Sequence, residues 1–143
     1  RVLFRSRLRE RGYKSVLHVR ELAYQQVTYA SDLSAAAGTR AMETLLAQKE
    51  KPDAVFAVSD SLAAGALRAI AQAGLRVPED IAVIGFDGTE LAEVVSPQLT
   101  TVEQPSREIG RTAVTLLMKR IDNPDAAVER VMMDWRVIPR AST

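Results

Sequence analysis

Two runs of consecutive apolar residues, each followed by an aspartate, stand out in the hydrophobic pattern of this chain. Residues 54–58 lead to Asp60, and residues 81–86 lead directly to Asp87. Both runs are short, rich in β-branched residues and apolar at successive positions, as strands covered by helices on both faces of a sheet are. We therefore predict two buried parallel strands whose carboxyl ends carry acids, an arrangement typical of ligand sites in α/β sheets.

The stretch between the two runs has the pattern of a helix. Apolar residues recur at helical spacing from Leu62 to Ala71, and either Ser59 or Asp60 can cap the start. Gly74 can end the helix in a left-handed conformation. The order strand, helix, strand predicts one βαβ unit.

The rest of the chain continues this alternation of helices and strands. We predict a helix up to about residue 12, a strand within 15–23, a loop with Tyr24 and Tyr29, a helix at 34–49, a turn or short helix at 89–95, a strand at 99–102, a helix at 106–121 and strands within 128–139. The predicted fold class is α/β, with a doubly wound parallel sheet. Right-handed crossovers would then bring Asp60 and Asp87 to the same edge of the sheet.

A series of short motifs follows the predicted elements in order. The motifs are SD after the first strand, GAL in the helix, then GLRVPED, GFD, LTTVEQP and a closing RAST. In this order they resemble the ligand-binding core of the LacI/GalR family of bacterial transcription regulators, over residues 31–143. The resemblance implies a periplasmic-binding-protein-like (type I) subdomain, incomplete in this chain.

The resemblance also implies which residues bind a small effector. By this resemblance the GFD motif places Asp87 on hydroxyls or ring nitrogens of the effector, although Asp87 could instead only cap the turn at Thr89. Ser59 stands where relatives often carry an asparagine, and Asp60 is expected to cap its helix more readily than to touch a ligand. Leu33 stands where relatives present an aromatic ring. Tyr29 could supply a ring from the preceding loop, or could cover core.

A homodimer patch is predicted from the apolar segment TELAEVV and from the resemblance. Its residues are Ala64, Arg68, Leu91, Val94 and Val95.

The resemblance further implies that the chain is a fragment. Residues 1–6, RVLFRS, match the translation of a common sequencing-library adapter, so we expect them to be foreign, the alternative being a natural arginine-rich helix start. We assign 7–104 to a C-terminal subdomain, 105–127 to a helix and turn that belong to a missing N-terminal subdomain, and 128–143 to returning strands. Ile109, Ala113, Leu116 and Leu117 form an apolar stripe that should therefore be poorly covered.

Composition excludes several classes of protein. The chain is 47% hydrophobic and 26% charged, as globular domains are, and a net charge of +1 gives no nucleic-acid footprint. No apolar run approaches the roughly 18 residues of a membrane span. No cysteine is present, which fits a cytoplasmic location. Asp122 and Asp125 lack further acids for a metal, and we expect neither metal nor cofactor.

The predicted function is the effector-binding and dimerisation part of a LacI-type repressor that responds to a sugar or sugar acid. Operator DNA would be bound only through a missing helix-turn-helix. The main alternative is a periplasmic sugar-binding protein, which a signal peptide upstream in the parent gene would indicate. An enzyme is less favoured, because the single histidine, His18, lies among apolar neighbours and no phosphate loop is present.

Overall fold

The apolar runs form the strands of one sheet in the computed structural model, which describes residues 4–22 and 26–143. The sheet has the order β1-β2-β3-β4. β1, β2 and β3 run parallel, whereas β4 pairs antiparallel to β3. The predicted α/β class with a parallel sheet is therefore confirmed, with one antiparallel edge strand that makes the sheet mixed. The strands are β1 (Ala54–Phe56), β2 (Ala82–Asp87), β3 (Thr100–Glu103) and β4 (Arg136–Ile138).

Five helices lie in the described part of the chain: α1 (Phe4–Val19), α2 (Ala35–Leu46), α3 (Asp60–Gln72), α4 (Leu91–Val94) and α5 (Ser106–Asp122). α3 begins where the sequence predicts, because Ser59 accepts a hydrogen bond from the Leu62 amide over 3.3 Å. Gly74 follows its end with a φ of +73°, as predicted. Ser34 caps α2 in the same manner.

The predicted strand within 15–23 is wrong, because α1 continues through Gly12 to Val19. Tyr13 and Leu17 are four residues apart, so a helix turns both towards the inside, where they line one cavity with Glu10. The run VLHV is therefore part of a helix despite its β-branched residues. Residues 1–3 of the predicted foreign segment and Tyr24 lie outside the described residues.

The predicted strands within 128–139 reduce to β4, the three residues Arg136–Ile138. Val128, Val131, Met132 and Trp135 are all exposed, so this apolar stretch lacks the covering layer that a buried strand needs. The antiparallel partner, β3, is reached only from Arg136 onwards, in register with Glu103.

The buried core lies between α2, α3 and the sheet. α2 and α3 pack together, and α3 packs on β2. The core side chains are Met42, Ala63, Ala66, Leu67, Ala69, Ile70, Ile81, Val83, Ala92 and Leu99. This core holds β2 and the start of α3 in place. The carboxyl end of β2 and the first turn of α3 lie at the same edge of the sheet.

The residues after β4 are anchored between β2 and β3. The Ser142 hydroxyl donates to the Val83 carbonyl over 2.6 Å and accepts from the Thr100 amide over 2.8 Å. Arg140 donates to the Leu99 carbonyl and pairs with Glu93 of α4. The closing RAST motif therefore ties the tail to two strands and to α4.

α5 stands apart from this core. None of its residues is buried, and the apolar stripe predicted to be poorly covered includes Leu117, whose exposure is 58%. The prediction of a poorly covered helix is confirmed. Its assignment to a missing subdomain stays a prediction.

Candidate functional site

Asp87 lies at the carboxyl end of β2, with its side chain 35% exposed. Its Oδ1 accepts a hydrogen bond of 2.9 Å from Nε2 of Gln104, which follows the neighbouring parallel strand β3. The backbone of Asp87 has a φ of +118°, which is rare for a residue other than glycine. The carboxylate is thus held at the strand edge while part of it faces solvent.

Arg9 of α1 reaches the same edge from a distant part of the sequence. Its guanidinium carbon lies 3.6 Å from the centroid of the Phe86 ring, and Nη1 donates to the Val58 carbonyl over 2.5 Å. Nη2 lies 3.7 Å from Oδ1 of Asp87, close enough for an ion pair. Phe86 in turn packs edge-on against Phe56, with 6.5 Å between ring centroids. The edge therefore brings together a carboxylate and a cation that is stacked on an aromatic ring.

Opposing influences act on the pKa of Asp87. Burial raises the pKa most, and the carboxylate of Asp60 raises it further, whereas Arg9 and the amide of Gln104 lower it. The net result is a raised pKa. A raised pKa at an exposed edge is typical of a functional carboxylate, although ion-pair networks can cause it as well.

Asp60 and Ser59 lie near Asp87, on the predicted common edge, but both are bonded within the protein. Asp60 is fully buried, and its carboxylate accepts hydrogen bonds from Thr89 and Thr101. Ser59 is buried and caps α3. Direct contact of these two side chains with a ligand stays a prediction that this geometry does not favour.

Leu33 and Tyr29 are both exposed and line a cavity of about 620 Å³ between α1, α2 and β1. The Tyr29 hydroxyl donates to Oε1 of Glu10 over 3.2 Å. Neither Asp87 nor Asp60 is among the described residues that line this cavity. The structure thus divides the predicted ligand residues between two places, connected through α1 by the neighbouring residues Arg9 and Glu10.

The predicted dimer residues lie on or near α3 and α4. Val94 is 76% exposed, and Arg68 is exposed as well. Ala64, Leu91 and Val95 are partly buried, and Val95 packs against the core. Val94 is therefore the apolar side chain of this group that is most available to a partner.

Residues 2–143 match the sequence profile of the periplasmic binding protein-like domain family. The chain belongs to this family. Its resemblance to LacI/GalR proteins is also confirmed. The ribose operon repressor of Haemophilus influenzae is 37% identical to this periplasmic binding protein-like domain over 135 residues, which are 94% of the chain and 41% of the repressor.

Solved structures agree with this family assignment. The transcriptional regulator CelR in complex with cellobiose superposes with a TM-score of 0.88 at 36% identity, over 94% of this chain and 42% of CelR. The lac repressor dimer bound to operator and the anti-inducer ONPF superposes with a TM-score of 0.83 at 31% identity, over 96% of this chain and 47% of that one. This periplasmic binding protein-like domain thus spans less than half the length of each of these three relatives.

These relatives are regulators rather than enzymes, in line with the non-enzymatic function predicted for this chain. Among residues 4–22 and 26–143, no cluster of three His, Cys, Asp or Glu side chains could hold a metal ion. Within the same ranges, no helix is long and apolar enough to cross a bilayer.

Sequence reasoning missed several residues at this edge of the periplasmic binding protein-like domain. Gln104 could have been found, because it follows the parallel strand next to β2 and strand ends share an edge. Thr89 and Thr101 carry hydroxyls but no pattern that pairs them with Asp60. Arg9 lies 49 residues before the carbonyl it contacts, and no periodicity indicates such a contact.

Proposed function

We propose that this chain forms the C-terminal part of the effector-binding and dimerisation domain of a LacI-type transcriptional repressor. The effector is a small molecule of the sugar or sugar-acid class, and the protein works in the cytoplasm without a cofactor. Operator DNA is bound by a segment outside this chain. The observation that carries the proposal is the half-buried Asp87 carboxylate at the carboxyl end of a parallel strand, beside the Arg9 guanidinium that stacks on Phe86.

The chemistry of this edge suits a sugar. The carboxylate of Asp87 can accept hydrogen bonds from adjacent hydroxyls, and the hydrogen bond from Gln104 to Oδ1 holds this carboxylate in place. The Phe86 ring and the stacked Arg9 guanidinium give a flat surface beside it. Arg9 also supplies a cation near the carboxylate of a sugar acid. Relatives named for ribose and solved with cellobiose support the same class.

We further propose that Ala64, Arg68, Leu91, Val94 and Val95 contribute to a homodimer interface. The exposed Val94 on α4 supports this surface, and the lac repressor that superposes on this chain is a dimer. Binding of the effector between two subdomains would shift the balance between two arrangements of the dimer, since a ligand moves an equilibrium only by its differential affinity.

The first prediction concerns Asp87→Ala in the full-length parent protein. The affinity for whichever of D-ribose or cellobiose binds should fall about 5- to 150-fold, or about 1–3 kcal/mol, because buried ligand hydroxyls lose their acceptor. The fold should survive, since the side chain is partly exposed. Isothermal titration calorimetry measures the affinity, with the exposed Asp125→Ala as a matched control. Unchanged affinity in Asp87→Ala would reject the assignment of the site, and a parent that binds neither sugar would reject these effectors.

A further inference from the structure

Asp60 is fully buried, and its carboxylate accepts hydrogen bonds from Thr89, in the turn after β2, and from Thr101 of β3. Oδ2 accepts from both the amide and the hydroxyl of Thr89, over 2.7 and 2.9 Å. Oδ1 accepts from the hydroxyl of Thr101 on β3 over 2.5 Å. The capping of its own helix is done by Ser59. A buried side chain that accepts three hydrogen bonds from two neighbouring segments holds those segments together.

The segment that Asp60 holds is the turn that follows β2. Asp87 has a φ of +118°, which a residue other than glycine keeps only where the surroundings determine it, and Gly88 follows with a φ of +71°, which glycine adopts readily. The Gly88 amide donates to Thr101 Oγ1 over 3.3 Å, so the same hydroxyl links the turn to Asp60. A Cβ on Gly88 would lie 2.6 Å from Glu103, which shows how closely the turn approaches β3.

The turn is short: it begins at Asp87, and α4 follows shortly after its other end. Thr89 is separated from α4, which begins at Leu91, by Glu90 alone. A Cβ on Gly85 would lie 2.4 Å from Oδ1 of Asp60, so β2 also approaches this carboxylate closely. One buried group therefore lies against the strand that presents Asp87 and fixes the turn that leads to the proposed dimer surface.

We propose that Asp60 is a positioning residue for Asp87: with Thr89 and Thr101 it forms a clamp that aims the Asp87 carboxylate at the effector. This clamp is defined by Asp60, Thr89 and Thr101, and its effect on binding rests on the proposed effector site. Asp60 itself touches no effector.

Thr101→Val tests the clamp, because valine keeps the shape of threonine while the two bonds of the hydroxyl are lost. Thr101→Ser restores the hydroxyl. Ser142→Ala is the matched control, since it removes a buried hydroxyl with two bonds between the same strands, β2 and β3, at a distance from the clamp. All variants are made in the full-length parent, and Asp60→Asn serves as a second clamp variant.

D-ribose affinity by calorimetry is the first measurement. We expect Thr101→Val and Asp60→Asn to weaken binding about tenfold, with Thr101→Ser and Ser142→Ala within about twofold of wild type. If Ser142→Ala lowers the melting temperature as much as Thr101→Val does but keeps its affinity, lost stability alone does not explain the weaker binding of Thr101→Val. Wild-type affinity in Thr101→Val, or an equal loss in Ser142→Ala, would overturn the proposal.

Amide hydrogen exchange is the second measurement and needs no ligand. The Thr89 amide donates to Oδ2 of Asp60, and the Gln104 amide donates to the backbone carbonyl of Asp87. Neither amide donates to Thr101, so the substitution itself removes neither bond. They should exchange faster in Thr101→Val but not in Ser142→Ala. Unchanged exchange would overturn the clamp. If wild type binds no D-ribose while exchange rises as expected, the clamp stands and the sugar assignment of the effector fails.

Discussion

At the scale of a single residue, Asp87 is subject to opposing influences: burial raises the pKa of its carboxyl group, whereas Arg9 and Gln104 lower it. Its carboxylate is partly buried at the end of β2, which raises its pKa, and it is held by Gln104 and faces Arg9 at 3.7 Å. Because the pKa in the folded state is raised, the folded protein binds a proton more readily than the unfolded chain does. The resulting stabilisation is complete below the ordinary pKa of an aspartate and is lost as the pH rises through the raised value.

The second prediction follows from this sign. Wild type loses this stabilisation as Asp87 releases its proton, whereas asparagine has no proton to release. The melting temperature of Asp87→Asn minus that of wild type should therefore increase as the pH rises from about 4 to 7. Effector affinity should fall at neutral pH in the same variant, a trade of function for stability. Thermal unfolding of the full-length parent across this pH range measures the effect. Asp125→Asn, at an exposed position, should show no such trend, and a flat difference for Asp87→Asn would contradict the argument.

At the scale of elements, α5 is the clearest case of a helix without a partner. Its apolar side chains Val114, Leu117, Met118 and Ile121 are all more than half exposed in the described chain. Burial of one apolar side chain contributes about 1.5–3 kcal/mol to stability. A partner that covered this face of α5 would therefore add several kcal/mol in total. Exposed apolar area of this kind marks an interaction site or leads to aggregation.

The third prediction is that the 143-residue chain aggregates alone, and that Leu117→Lys reduces this aggregation. In the full-length parent the same substitution should instead lower the free energy of unfolding by about 1–3 kcal/mol, because we propose that a further subdomain covers the helix there. Light scattering on the chain and denaturant unfolding of the parent measure the two effects. Thr115→Lys, on a polar position of α5, should change neither. A parent insensitive to Leu117→Lys would argue against a covering subdomain.

The sequence predicted some elements well and others poorly, for identifiable reasons. β1, β2 and α3 were predicted within a few residues, because both strands form continuous apolar runs and because Ser59 and Gly74 bound the helix, although β1 proves only partly buried. The strand within 15–23 was wrong, because a short apolar run fits a strand and a helix equally well. Local pattern could not separate the two.

The site was predicted only in part. Asp87 and Asp60 come to one edge because strand ends in a parallel sheet do so whatever the side chains. The role of Asp60 as a bonded group between Thr89 and Thr101 depends on distances in three dimensions, which one sequence does not contain. Arg9 depends on how α1 docks, for which the chain carries no local signal.

At the scale of the whole molecule, the exposed side chain of Val94 on α4 is the one that we propose to contact a second subunit. Val94 is 76% exposed, whereas Val95 packs on the core. A charge at Val95 would disturb the fold itself, so Val94 is the position that separates association from folding.

The fourth prediction is that Val94→Asp weakens dimerisation of the full-length parent by about 2 kcal/mol or more, about thirtyfold in the dissociation constant. Its melting temperature under monomeric conditions should remain near that of wild type. Sedimentation over a dilution series measures the dissociation constant. Val128→Asp places the same charge at an equally exposed valine away from α4 and should leave the dimer intact. A Val94→Asp dimer as tight as wild type would remove α4 from the proposed interface.

The register between β3 and β4 has a consequence for the topology of this chain. Glu103 and Arg136 are directly paired across two neighbouring antiparallel strands, yet the whole stretch 104–135, including α5, separates them in sequence. Antiparallel neighbours need only a two-residue turn to join them. The pairing of the sheet therefore places no demand on the length of this excursion. For a protein engineer, 104–135 is an insertion in a hairpin, and an Asn-Gly turn in its place would leave every strand pair of the sheet intact.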